Sequence, residues 1–153
     1  TKRMEPNTAI MYIISQIAGA SLAGLALKTL FPDAAKTVYL GTCVLAPGVS
    51  IARGVLMEFI ISFLLIFTIY GTLVDKRASP GFAGIAVGLV VLFGAMIGGT
   101  ISGGAMNPAR VFGPALASGQ FTHHYVWWLG PILGGIAAGF VYDKLFAEKR
   151  GKP

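Results

Sequence analysis

Few side chains in this sequence could do chemistry, and most of them stand alone in apolar surroundings. Arg110 is the single Lys, Arg, Asp or Glu between Ala78 and Tyr142. A guanidinium in such a stretch is costly to bury and marks a functional position by default. It follows directly on Asn107-Pro108-Ala109, within the run Ser102-Gly103-Gly104-Ala105-Met106-Asn107-Pro108-Ala109-Arg110-Val111-Phe112-Gly113-Pro114-Ala115. Asn is a favoured N-cap and Pro a favoured first helical residue, so a helix is expected to start at Asn107 with Arg110 in its first turn. The glycines ahead of it let the chain run extended, exposing the carbonyls of Gly103, Gly104 and Ala105. A bare Asn-Pro most often marks an ordinary loop leading into a helix; the arginine is what changes that reading.

The other reactive groups are sparse. Glu58 is the only acid between Gly54 and Val74, and it either has a buried role or reaches an interface from near a helix end. His123 and His124 are adjacent, but with no third ligand nearby they read as interfacial residues and not as a metal site or catalytic pair. Trp127 and Trp128 read as an aromatic belt or a pore wall. Cys43 is the only cysteine, so no internal disulfide can form. No nucleophile, base and acid come together within the apolar runs, so neither enzyme activity nor a cofactor is expected.

The elements that must position these residues are membrane helices. The 153 residues are 55% hydrophobic and only 12% charged, with 21 Gly and 8 Pro. A soluble domain carries about a quarter charged residues, and both Gly and Pro are tolerated in membrane spans. The charges punctuate apolar runs that place spans near 8–29, 54–74, 81–101 and 123–145, each close to the ~20 residues a bilayer requires. The stretch 107–117 is too short to cross and is expected to be a re-entrant half-helix, tolerated where protein or a water-filled cavity satisfies its backbone. The segment 31–50, with Pro32, Pro47 and Gly48, reads as a semi-polar connector. The whole of 1–153 reads as one all-α transmembrane domain.

Eight basic residues (Lys2, Arg3, Lys76, Arg77, Lys144, Lys149, Arg150, Lys152) fall on one side of these spans and three (Lys28, Lys36, Arg53) on the other. That bias puts both termini in the cytoplasm. The net charge of +6 is thus a topology signal with some attraction to anionic lipid, and no nucleic-acid partner is expected. No signal-peptide pattern opens the sequence. Small residues at four-residue spacing, such as Gly84/Gly88, Gly94/Gly98, Gly130/Gly134 and Gly135/Gly139, suggest closely packed helices.

At this point the sequence resembles the aquaporins, or major intrinsic proteins. Ser102 to Ala115 is similar to the family's second Asn-Pro-Ala loop, and His124-Tyr125-Val126-Trp127-Trp128-Leu129-Gly130-Pro131 to the start of its sixth span. Met57-Glu58-Phe59 resembles the opening of the fourth span, and Tyr12-Ile13-Ile14-Ser15-Gln16 part of the third. The resemblance implies a passive channel in which a half-helix starting at Asn107 aims its positive end at the pore. The Asn107 amide would donate to passing water and the carbonyls of Gly103, Gly104 and Ala105 would accept from it. Half-helix dipoles and an arginine would exclude protons and ions, an arrangement general to this class of channel. By the same resemblance Glu58, assisted by Gln16, supports the re-entrant loop.

Three of the family's four selectivity-filter positions map onto Ala95, Gly104 and Arg110. Strict water channels usually carry a histidine where Ala95 stands, so a wider filter is implied. It would pass water with leak to small neutral solutes such as urea, ammonia or peroxide. Val111 stands where glycerol facilitators carry an acid, and Trp127-Trp128 also departs from their pattern; a glycerol-type facilitator remains the alternative within the family. A non-conducting membrane assembly subunit is the alternative outside it. The family's six spans form two inverted repeats, each with its own Asn-Pro-Ala. This sequence resembles the third span onward, so it is expected to be N-terminally incomplete and unable to enclose a full pore alone. The resemblance also implies a homotetramer, and a plasma-membrane location is expected.

Overall fold

The structure, a computed structural model, describes residues 4–79 and 81–146. Lys2, Arg3, Lys149, Arg150 and Lys152, used in the topology argument, lie outside the described residues. The described residues contain helices and no strand: α1 (Pro6–Leu30), α2 (Ala34–Thr37), α3 (Ile51–Ile69), α4 (Ala83–Gly99), α5 (Pro108–Ser118) and α6 (Val126–Leu145). Pro6–Leu30, Ile51–Val74 and Val126–Leu145 are long and apolar enough to cross a membrane. The fourth expected span, 81–101, is represented by α4, which has only 17 residues. At about 1.5 Å per residue it reaches roughly 26 Å, short of the ~30 Å hydrocarbon core.

Local sequence sets the helix ends. Pro6 occupies the first turn of α1. Ser50 caps α3 by accepting from the Arg53 amide at 3.4 Å, which starts this helix at Ile51, ahead of the Gly54 expected from the charges. Beyond Ile69 the chain widens into a π-turn over Tyr70–Val74, with the Asp75 amide donating to the Tyr70 carbonyl at 2.8 Å. That turn delivers Asp75 to α6, where it accepts from the Tyr142 hydroxyl at 2.8 Å. Arg77 pairs with the same carboxylate at 2.6 Å and also donates to the Phe146 carbonyl. The loop after α3 is therefore tied to the end of α6, and the guanidinium holds the Asp75 carboxyl well below the usual carboxylate range. α6 starts at Val126, three residues later than expected from the sequence, because 122–125 form a turn with His123 at φ 53°.

α3 and α6 form the most extensive helix pair, α1 packs along α5, and α4 leans on α3. Glycines make the first two contacts possible. A Cβ at Gly113 would collide with the Ala20 backbone, one at Gly24 with the Gly113 backbone, and one at Gly134 with the Phe59 carbonyl. Gly94 and Gly98 face the loop after α4 and Ile61 of α3, while Gly19, Gly84 and Gly88 face open space. Trp127, read from sequence as belt or pore wall, is 1% exposed and belongs to the buried cluster with Cys43, Ala105, Val111 and Val126.

Candidate functional site

The loop joining α4 to α5 is held in an irregular, closely bonded shape. The Gly98 carbonyl accepts from the amides of Ile101, Ser102 and Gly103 at 3.0, 2.8 and 2.9 Å. The chain then passes through positive φ at Gly103 (87°), Gly104 (61°) and Met106 (54°). Such a conformation is sparsely populated for the non-glycine Met106 and persists where the surroundings fix it.

Glu58 supplies that fixing. Its side chain is fully buried in α3, with one carboxylate oxygen accepting from the Ser102 hydroxyl at 2.7 Å and the Ala105 amide at 2.9 Å, and the other from the Met106 amide at 2.9 Å. A buried carboxylate is tolerable because charge-assisted donors replace its water. Trp127 adds a further tie, its indole N–H donating to the Ser102 carbonyl at 2.8 Å. From the other side the Ala46 amide donates to the Ile101 carbonyl at 3.0 Å, so the 31–50 connector folds back onto this loop.

α5 starts where the sequence places it. The Asn107 side-chain oxygen accepts from the Ala109 amide at 2.9 Å and the Arg110 amide at 3.4 Å, while Pro108 fills the first position. The carboxamide oxygen is thereby committed to the cap, and the NH2 end has no hydrogen-bond partner among the described residues. Arg110 is exposed, and its guanidinium donates to the Cys43 sulfur at 2.8 Å. Burial pushes the Cys43 thiol up, and Arg110 opposes that shift.

The structure brings several of the sequence-derived residues together. A Cβ at Gly104 would stand 3.0 Å from the Ala95 Cα, so Ala95 and Gly104 are in contact. Arg110 is linked to Gly103 through Cys43. Asn107, Pro108 and Met106 line a cavity of about 300 Å³ with Gln16 and Ser62. Gln16 lies on this cavity and, among the described residues, makes no hydrogen bond to Glu58. The Ser62 hydroxyl is buried there without a partner. The sequence reading gave no role to Cys43, Ser102 or Ser62. Ser102 stands inside the motif, but nothing local signals Cys43, whose partner Arg110 is 67 residues away.

His124 is set in an aromatic box. Its ring lies 5.0 Å from Phe121 and 6.1 Å from Phe112, with Trp127 and Trp128 beyond. Both ring nitrogens are buried without a partner, and burial holds the imidazole below its ordinary range. His123 is exposed beside Tyr125.

Apolar spans around a capped helix, with an arginine one turn in and a carboxylate anchoring the preceding loop, define a multi-pass membrane protein. Residues 1–142 match the model of the major intrinsic protein family, to which the chain belongs. The relatives bear this out. Rice "Probable aquaporin TIP4-1" is 44% identical over 141 residues, which is 92% of this chain and 55% of the relative. Maize "Aquaporin TIP4-4" is 43% identical over 99% of this chain and 59% of its own length, and Arabidopsis "Aquaporin TIP4-1" is 42% identical over 95% and 57%. The chain thus spans a little over half the length of these relatives. Its all-helical bundle is that of a partial aquaporin-like fold.

Proposed function

We propose that these residues form part of the lining of a passive water channel, with leak to small neutral solutes. The observation that carries the reading is the α5 start: Asn107 spends its oxygen on the cap and leaves its NH2 end unbonded, with Arg110 a turn away. A helix N-terminus carries roughly half a positive charge. Together with the guanidinium it would repel cations and protons while leaving a neutral molecule free to pass. The NH2 of Asn107 would donate to that molecule, and the carbonyls of Gly103, Gly104 and Ala105 would accept from it. Ala95, Gly104 and Arg110 would form the selectivity filter, wide because the first two have almost no side chain. Glu58 would support the loop, and Gln16 would line the passage near Asn107.

In this reading the channel has no enzymatic step. The chain would work beside a second, inverted set of spans, and the assembly would be a homotetramer. The basic loop 75–80 would face the cytoplasm. A fluorescent fusion marking the cell surface would support the plasma-membrane placement, and one confined to an internal membrane would overturn it.

The filter role is tested with Arg110→Val in liposomes, in a chimera joining this chain to the first two spans and first half-helix of the rice relative. The variant is expected to admit more urea and to leak protons. A permeability profile unchanged from the native chimera would contradict the role given to Arg110.

A further inference from the structure

We propose that Cys43 is a positioning residue for Arg110: its sulfur, fixed by the connector against the Gly103 carbonyl, holds the guanidinium in place and so sets which neutral solutes pass. The inference rests on the channel reading above and names a residue that reading does not use.

The connector between α1 and α3 is anchored on both sides of this residue. Thr42 and Ser118 approach hydroxyl to hydroxyl at 3.5 Å, fastening the connector to the end of α5. The Ala46 amide donates to the Ile101 carbonyl at 3.0 Å, fastening it to the loop before α5. Between these ties the Cys43 thiol donates to the Gly103 carbonyl at 3.6 Å and its sulfur accepts from the Arg110 Nη1 at 2.8 Å. A thiol can do both at once, having one proton and free lone pairs. Cys43 is buried, and the Gly103 backbone lies so close that a Cβ there would stand 2.8 Å from the Cys43 sulfur. The sulfur therefore has little room to move.

Arg110 needs such a tether. Its side chain is long and exposed, and among the described residues Cys43 is its one side-chain hydrogen-bond partner. Ala95 and Gly104 cannot narrow a passage by themselves. Of the three filter positions this chain supplies, only the guanidinium can then set the width, and the connector's cysteine decides where it rests.

The test is the urea-to-water permeability ratio of the same chimera, measured by stopped flow. Cys43→Ala is expected to raise the ratio roughly two- to tenfold, the range that one lost hydrogen bond supplies. Cys43→Ser, which keeps a donor and an acceptor, should stay near native. Cys43→Ala combined with Arg110→Ala should match Arg110→Ala alone, which a general packing defect would not produce. The proposal is overturned if Cys43→Ala equals native while Arg110→Ala raises the ratio, or if Cys43→Ser relaxes selectivity as far as Cys43→Ala. An Arg110→Ala variant with no effect on the ratio would instead count against the filter reading.

A second measurement needs no conduction. Cys43 is the sole thiol, so the pH dependence of its alkylation can be followed in the chain itself. Arg110 favours its thiolate and Glu58 disfavours it. Arg110→Gln should therefore shift the alkylation midpoint to higher pH. An unchanged midpoint would show that the two side chains do not meet and would overturn the proposal.

Discussion

The Glu58 carboxylate is the residue on which the loop before α5 depends most. Three donors converge on it, two of them backbone amides that have no other way of being satisfied in a buried position. Glu58→Ala would leave the two amides unpaired at roughly 1–3 kcal/mol each, while the Ser102 hydroxyl keeps the Gly98 carbonyl at 3.4 Å. Thermal unfolding in detergent should show a loss of at least about 2 kcal/mol by this count. Glu58→Gln should lose less, because an amide still accepts through its oxygen but turns a competing NH2 toward one donor. Equal melting of Glu58→Ala and native protein would refute the anchoring role. At this scale the sequence was unevenly legible. Asn107 and Pro108 carry a local capping signature, and the helix they open runs Pro108–Ser118 against an expected 107–117. Glu58 stands out as a lone acid, but its particular donors could not be read because they lie 44 to 48 residues away. Cys43 offered no signal at all.

Between elements, backbone contact through glycine holds the helices together. α6 approaches α3 so closely that Gly134 has no space for a methyl group, whereas Gly88 on α4 faces open space. Gly134→Ala should destabilise by about 1–3 kcal/mol through overpacking. Gly88→Ala should be neutral or slightly stabilising in the isolated chain, since alanine is the better helix former. A melting series that reversed this order would contradict the packing described. Four-residue spacing marks both glycines alike, so sequence cannot tell the packed face from the open one.

The turn before α6 gives a pH-dependent prediction. His124 is held below its ordinary range by burial, with neither ring nitrogen hydrogen-bonded. The unfolded chain binds the proton more readily, with a pKa of about 6.5. Stability from neutral His124 is therefore intact above that pH and declines as the pH falls through it toward the lower folded value. The melting temperature should drop from pH 7.5 to pH 5.5, and His124→Phe should flatten that drop. An identical drop in the variant would assign the effect to other groups. The turn is not legible in the sequence because no charge stands between Arg110 and Asp143 to mark where the span begins.

For the whole molecule, the feature that matters is a short helix, α5, capped by Asn107 and packed along α1. Its cap and its arginine share one segment, its anchoring acid comes from α3, and the connector adds a third part of the chain. The family and the all-α class were legible because composition and one dense motif carry them. The folding of the connector onto the loop was not, since it depends on tertiary hydrogen bonds with no periodicity behind them. The chain covers 55–59% of the length of its rice, maize and Arabidopsis relatives, so its conduction has to be measured both by itself and in the longer context.

The most direct test is osmotic water permeability by stopped-flow light scattering. Liposomes holding this chain, liposomes holding the chimera with the rice relative, and empty liposomes would be compared at several temperatures. The chimera is expected to shrink faster than empty liposomes with a lower activation energy, and the chain alone to match the empty control. A chimera that is folded and inserted yet no faster than empty liposomes would contradict the channel function proposed for these residues.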